Sequence, residues 1–205
     1  MTRARMVMVL VLSSLPALAR PLERTGSGGI TVIADLPGWW HAGTNPTGYS
    51  IDIDRTISHG GKASARLKSV IPSPTGFGSL MQISKPDKLR GKRVRFSAWI
   101  KTEKVQGHAG LWMRVDGKDH DPASPLATDS MSDRPISGTR GWQRYEIVLD
   151  VANDAGDVAF GAFLSGVGMA WIDDLTFEFV DQTVPVTAGA PAVLPAEPQN
   201  LNFEG

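Results

Sequence analysis

The chain has 205 residues, 41% of them hydrophobic, with 22 glycines and 14 prolines spread along it. That is enough for one domain with a real core and turn-rich connections; it excludes a second full domain and a disordered chain. Twenty-one basic residues against 21 acidic ones leave no net charge to draw in nucleic acid or an anionic membrane, and the absence of cysteine excludes disulfides, thiol chemistry and lipid attachment through a thiol.

Arg3 and Arg5 precede an apolar run over residues 6–12 and then Ala17-Leu18-Ala19. A basic start, a short apolar stretch and small residues before a cleavage point read as a signal peptide over 1–19. The mature chain is therefore expected to be periplasmic or extracellular, without membrane contact after cleavage. Residues 20–29 are glycine-rich and aperiodic, a flexible lead-in. Strands are then expected at 30–34, 49–54, 62–70, 79–84, 92–102, 109–116, 143–151, 157–165 and 169–180, separated by turn residues such as Gly60-Gly61, Asp116-Gly117 and Gly166-Val167-Gly168. Nine short strands predict an all-β fold, a two-sheet antiparallel β-sandwich over 30–181. One long connection, from Gly117 to Trp142, carries Pro122, Pro125 and Pro135. A loop of that length in a compact domain is usually functional. Residues 182–205 have the proline- and alanine-rich composition of a linker and tail.

Alternation along these strands separates two kinds of face. Val94, Phe96, Ala98 and Ile100 alternate with Arg95, Ser97, Trp99 and Lys101; Leu111, Met113 and Val115 alternate with Trp112, Arg114 and Asp116. Side chains in a strand point to opposite faces with a period of two, so if the apolar runs face inward, Trp99 and Trp112 face out. Indole rings can stack on the flat C–H faces of sugars while guanidinium, amide and carboxylate groups bond the hydroxyls. The expected ligand site is accordingly Trp99 and Trp112 for stacking, with Gln82, Arg114 and Asp116 for hydrogen bonding. Gly161 is expected to leave room above the sheet, with Phe163 and Ser165 on the same side. A second reading stands beside this one: the 117–141 loop covers the face, and the rings form a second small core. Core duty is the default for a tryptophan, so at least one of Trp39 and Trp40 is expected to close the end of the core, and Trp142 opens a strand after Gly141 in the same manner.

The search for catalytic patterns finds little. The chain has no Gly-x-Ser-x-Gly elbow, phosphate-cradling glycine loop or His-Glu-x-x-His. His41, His59, His108 and His120 all fall at expected turns and strand ends, so no enzyme activity is expected. Asp173-Asp174 are neighbours on one strand and point apart, which defeats a paired-carboxylate reaction. Asp173 shares its parity with Trp171, Leu175, Phe177 and Phe179, so it needs a partner on an apolar side. Either backbone donors or a cation hold it, or it ligates a structural calcium. The run from Asp116 to Asp121 gathers oxygen ligands without EF-hand spacing and reads as a solvated turn.

Taken together, several blocks carry a family resemblance: Gly-x-Ala-Ser-Ala-x-Leu-Lys-Ser at 61–69, Phe-Gly-Ser-Leu-Met-Gln at 77–82, Leu-Arg-Gly-Lys-Arg-Val-Arg-Phe-Ser-Ala-Trp-Ile-Lys-Thr at 89–102, Gly-Leu-Trp-Met-Arg-Val-Asp-Gly at 110–117, Gly-Trp-Gln-Arg-Tyr-Glu at 141–146 and Ala-Trp-Ile-Asp-Asp-Leu at 170–175. They resemble a bacterial carbohydrate-binding-like jelly-roll module of the galactose-binding-like superfamily. The resemblance implies a non-catalytic jelly roll that binds carbohydrate or cell-envelope glycan. Such modules are appended to other domains, transcriptional regulators included, so a protein-interaction or assembly role is the alternative and a hydrolase the third. In related modules a glutamate in an opening Asn-x-x-Phe-Glu and an aspartate of the last strand hold a structural calcium. Here Asp173 matches the second, only Asp35 lies near the first, and Asn200-Leu-Asn-Phe-Glu matches such an opening at the far end of the chain.

Overall fold

The structure is a computed structural model and describes residues 30–34 and 36–188. The expected signal peptide, the lead-in, Asp35 and the Asn200 block lie outside the described residues. Nine strands form: β1 (Thr31–Val32), β2 (Trp40–Ala42), β3 (Tyr49–Asp54), β4 (Ser64–Ser69), β5 (Phe77–Ser84), β6 (Lys92–Asp116), β7 (Ala127–Asp129), β8 (Ile136–Val151) and β9 (Asp157–Val180), with one 3-10 turn at Pro46–Gly48 and no α-helix among the described residues. Every strand pairing is antiparallel.

The all-β expectation is met, and the way the two sheets are made differs from it. The stretches 92–102 and 109–116 belong to one strand, β6, as do 157–165 and 169–180 in β9. β6 and β9 pair along nearly their whole length, from Arg93 opposite Val180 to Asp116 opposite Asp157. This ribbon folds over near its middle, where Gly107 lies opposite Gly166 and an extra residue enters β6 between Glu103 and Gln106. Lys104, at φ 51°, sits in that bulge. The glycines at 166 and 168, which look like a turn in the sequence, instead let the ribbon bend without ending. One sheet then runs β1-β2-β5, the first half of β9, the second half of β6, and β7. The other runs β3-β4, the second half of β9, the first half of β6, and β8.

The apolar faces of the two halves meet. Phe96, Ile100, Leu111, Met113 and Leu164 are fully buried in one core, each stabilising the fold by about 1.5–3 kcal/mol relative to exposure. Phe160 of the first sheet meets Phe96 of the second edge-on, ring centroids 5.3 Å apart. Trp39 also packs edge-on against Phe160.

Other connections differ from expectation as well. The long loop contains β7, and β8 begins at Ile136 rather than 143. Chain contacts continue past 181: the Arg93 guanidinium donates to the carbonyls of Gln182 and Val184, and Thr187 bonds both backbone groups of Val148. Near the end of β9, an extra residue between Asp173 and Thr176 reverses the alternation, with Asp174 at φ 48°. Phe177 therefore turns inward and stacks on Phe96, whereas Trp171 and Asp173 stay on the outer face. The shared parity expected for these residues fails at this bulge.

Candidate functional site

The outer face of the first sheet carries a cavity of about 820 Å³. Its floor comes from alternate residues of three strands: Ser79, Met81 and Ile83 on β5, Phe163 on β9, and Trp112 and Arg114 on β6. Gly161 is opposite Trp112 on one side and Met81 on the other. With no side chain at Gly161, the indole extends across β9, and its Nε1–H donates to the Ser79 hydroxyl on β5 at 2.8 Å. Phe163 meets Phe77 and His108 edge-on beside it.

The long loop forms a wall rather than a cover. His120 and Pro122 close one side, Thr128 and Ser130 of the β7 region continue it, and residues 42–44 stand opposite. Asp129 anchors this wall from behind. Burial pushes its carboxyl toward protonation, but the Arg134 guanidinium, the Thr187 hydroxyl and the Met131 N–H outweigh that and hold it below the usual carboxylate range.

Of the five residues expected to form a ligand site, the structure brings together Trp112, Arg114 and Asp116. Asp116 is buried, and Arg114 grips both its oxygens, with Nε 2.8 Å from Oδ1 and Nη2 2.8 Å from Oδ2. Asp116 thus positions the guanidinium, and the remaining nitrogen, Nη1, makes no bond among the described residues. Gln82 does not join the group: it has the inward parity of Leu80, and its amide donates to the Gly38 carbonyl at 3.1 Å. Asp157 is a residue the sequence did not single out, and His120 is expected only as a turn residue. His120 Nδ1 bonds Asp157 Oδ2, and Asp157 lies opposite Asp116 in the ribbon. Only that strand register, fixed by 40 intervening residues, brings them to the cavity.

Trp99 lies on the outer face of the other sheet. Both rings point outward, but β6 folds over between them, so outward from one half is opposite to outward from the other. One platform cannot contain both. The 55–62 loop covers Trp99: His59 stacks on the indole with centroids 3.8 Å apart and planes within 13°, and Trp142 approaches His59 edge-on. Beneath this loop, Asp173 Oδ2 accepts the backbone N–H groups of His59 and Gly60, at 2.8 and 3.1 Å, and Oδ1 accepts that of Asp174. These three N–H donors supply the backbone hydrogen bonds that one of the expected readings of Asp173 required. Among the described residues no three His, Cys, Asp or Glu side chains gather as a metal site. Trp99→Ala is expected to destabilise the fold by about 1–3 kcal/mol while leaving any ligand affinity unchanged. Urea unfolding and a binding titration on the same variant check this.

The same covered face contains Asp54, buried beside Trp171. The Thr56 hydroxyl, then the Trp171 indole N–H and the Thr56 and Ile57 N–H groups, hold its carboxyl well below the usual range against the opposing effect of burial. The native state therefore binds fewer protons at Asp54 than the unfolded chain in acid. The stability this contributes is present above about pH 4 and is lost as pH falls through the depressed native value. Asp54→Asn should lower the urea midpoint clearly at pH 7 and only somewhat less at pH 3, because the native carboxyl is still ionised there while the unfolded one is mostly protonated.

No family model matches the chain. Solved structures show its fold. The C-terminal family 22 carbohydrate-binding module of Clostridium thermocellum Xyn10B aligns with a TM-score of 0.51 at 11% identity, covering 71% of this chain and 88% of that one. The family 22 and catalytic modules of Clostridium thermocellum endo-1,4-β-D-xylanase 10B, complexed with xylohexaose, align at 0.54 and 11% identity over 73% of this chain and 27% of that one. The enzymatically active domain of bacteriophage CBA120 tailspike protein 4 aligns at 0.53 and 14% identity, covering 70% of this chain and 20% of that one. The chain thus has the jelly-roll β-sandwich fold of carbohydrate-binding modules. In sequence it is 46% identical, over 171 residues, to the uncharacterized HTH-type transcriptional regulator YbfP of Bacillus subtilis; the match takes in 82% of this chain and 57% of that protein's length.

Proposed function

We propose that this chain is a non-catalytic module that binds carbohydrate in the cavity on the first sheet's outer face. One observation carries the reading: the Trp112 indole lies across the strand gap left by Gly161, beside an Arg114 guanidinium that Asp116 fixes and that keeps one nitrogen free. An apolar ring next to a few oriented polar groups suits a sugar, which offers a C–H face and a hydroxyl rim. The fold shared with carbohydrate-binding modules supports this. So does the disposition of the histidines, which lie on both outer faces and inside β2, with no serine or threonine hydroxyl bonded to any of them among the described residues. With residues 1–19 read as a signal peptide, the ligand would be a periplasmic or extracellular glycan.

A second reading is favoured by the YbfP similarity: the sandwich is an interaction or sensing module of the kind that accompanies a regulator. The described part of this chain has no α-helix and hence no helix-turn-helix of its own. A glycan array probed with the full chain tests the two. Reproducible hits support carbohydrate binding, and silence on every glycan together with capture of a defined protein partner supports the second.

A further inference from the structure

Beside the first cavity lies another, of about 640 Å³, and the two share Ile83, His120 and Asp157. The second contains Trp40; at least one of Trp39 and Trp40 is expected to close the end of the core. Only Trp39 packs there. Trp40 is on β2 opposite Met81, Met81 is opposite Gly161, and Gly161 is opposite Trp112. The two tryptophans therefore stand in one cross-strand row on one outer face, three strand spacings apart, with the flexible Met81 and the bare Gly161 between them. At about 4.8 Å per spacing their backbones are ~14 Å apart. A single sugar ring cannot touch both, whereas a chain of sugar units crossing the strands can.

We propose that Trp40 is the second aromatic contact of the site, and that the ligand is an uncharged oligosaccharide laid across the strands from Trp112 over Gly161 and Met81 to Trp40. This rests on the carbohydrate reading above and extends it to ligand length and charge. Charge neutrality follows from the lining. The three cations Arg114, Lys85 and Arg90 are equalled in number by the three carboxylates Asp116, Asp157 and Asp87. Arg114 is already paired with Asp116 and Arg90 with Asp87, so neither guanidinium is left uncompensated for an anionic sugar.

Calorimetric titration of the full chain with xylose, glucose, galactose and mannose, the corresponding β-linked hexaoses, and oligogalacturonate tests this. The expected result is that at least one neutral hexaose binds ten times or more tighter than its monosaccharide, that oligogalacturonate does not compete, and that Trp40→Ala weakens hexaose binding at least fivefold. Should Trp40→Ala fail to fold, oxidation of the wild-type protein with N-bromosuccinimide serves instead, and the bound hexaose is expected to protect both Trp40 and Trp112. Equal affinity for monosaccharide and hexaose, preference for the anionic oligomer, or a Trp40 left unprotected while Trp112 is shielded would overturn the proposal and leave carbohydrate binding standing. Failure of every probe would overturn both.

Discussion

Trp112→Ala is expected to weaken binding of any glycan ligand at least tenfold, about 1.4 kcal/mol or more. Two losses add up in that variant. The ligand loses the ring it stacks on, and Ser79, fully buried beneath the indole, loses the donor at 2.8 Å. Trp112→Phe separates the two, since it keeps an aromatic face and removes only the hydrogen bond, so it should retain more affinity than the alanine variant. Isothermal titration of both, with circular dichroism to confirm the sandwich, reads the result. Undiminished binding by Trp112→Ala would mean that the ligand sits elsewhere.

A larger effect on stability is expected at the fold of the ribbon. Gly166 has φ 77°, and a Cβ there would run into the backbone oxygen of Gln106 on the paired strand. An L-residue is strained at that angle wherever it sits, and here the obstacle is backbone, which cannot swing aside. Gly166→Ala should cost about 3–5 kcal/mol, lowering the melting temperature by about 10 °C or more. Gly138→Ala is the contrasting variant. It also has positive φ, at 75°, but nothing stands near its added Cβ, so it should lose only the conformational part, about 1 kcal/mol. Thermal denaturation followed by circular dichroism distinguishes them; equal melting temperatures would show that the close strand approach is not limiting.

Much of the sandwich was legible because period-two alternation is a local signal. Phe96, Ala98 and Ile100, and Leu111, Met113 and Val115, all face the core as their alternation predicts. The same signal placed Arg114 beside Trp112, two residues along one strand. It could not show that Trp99 and Trp112 look in opposite directions, because parity reports which face of its own sheet a residue takes and not how that sheet is turned in space. Gln82 was misplaced for a simpler reason. Its strand is hydrophobic on both faces, with Leu80 inward and Met81 outward, so alternation in residue type gave no contrast to read.

The amino-acid sequence by itself determined the all-β class, the inward runs at 94–100 and 111–115 and the outward position of both indoles, since each follows from short-range alternation and turn chemistry. The tertiary structure alone decided which outward residues share a surface. It folds one ribbon at Gly107 and Gly166, shifts register at Asp174, covers Trp99 with His59, and aligns Trp40 with Trp112 across three strand spacings. Those outcomes depend on pairings between residues far apart in the chain, and the free energy of such pairings is set by the whole packed sandwich rather than by any local stretch of it.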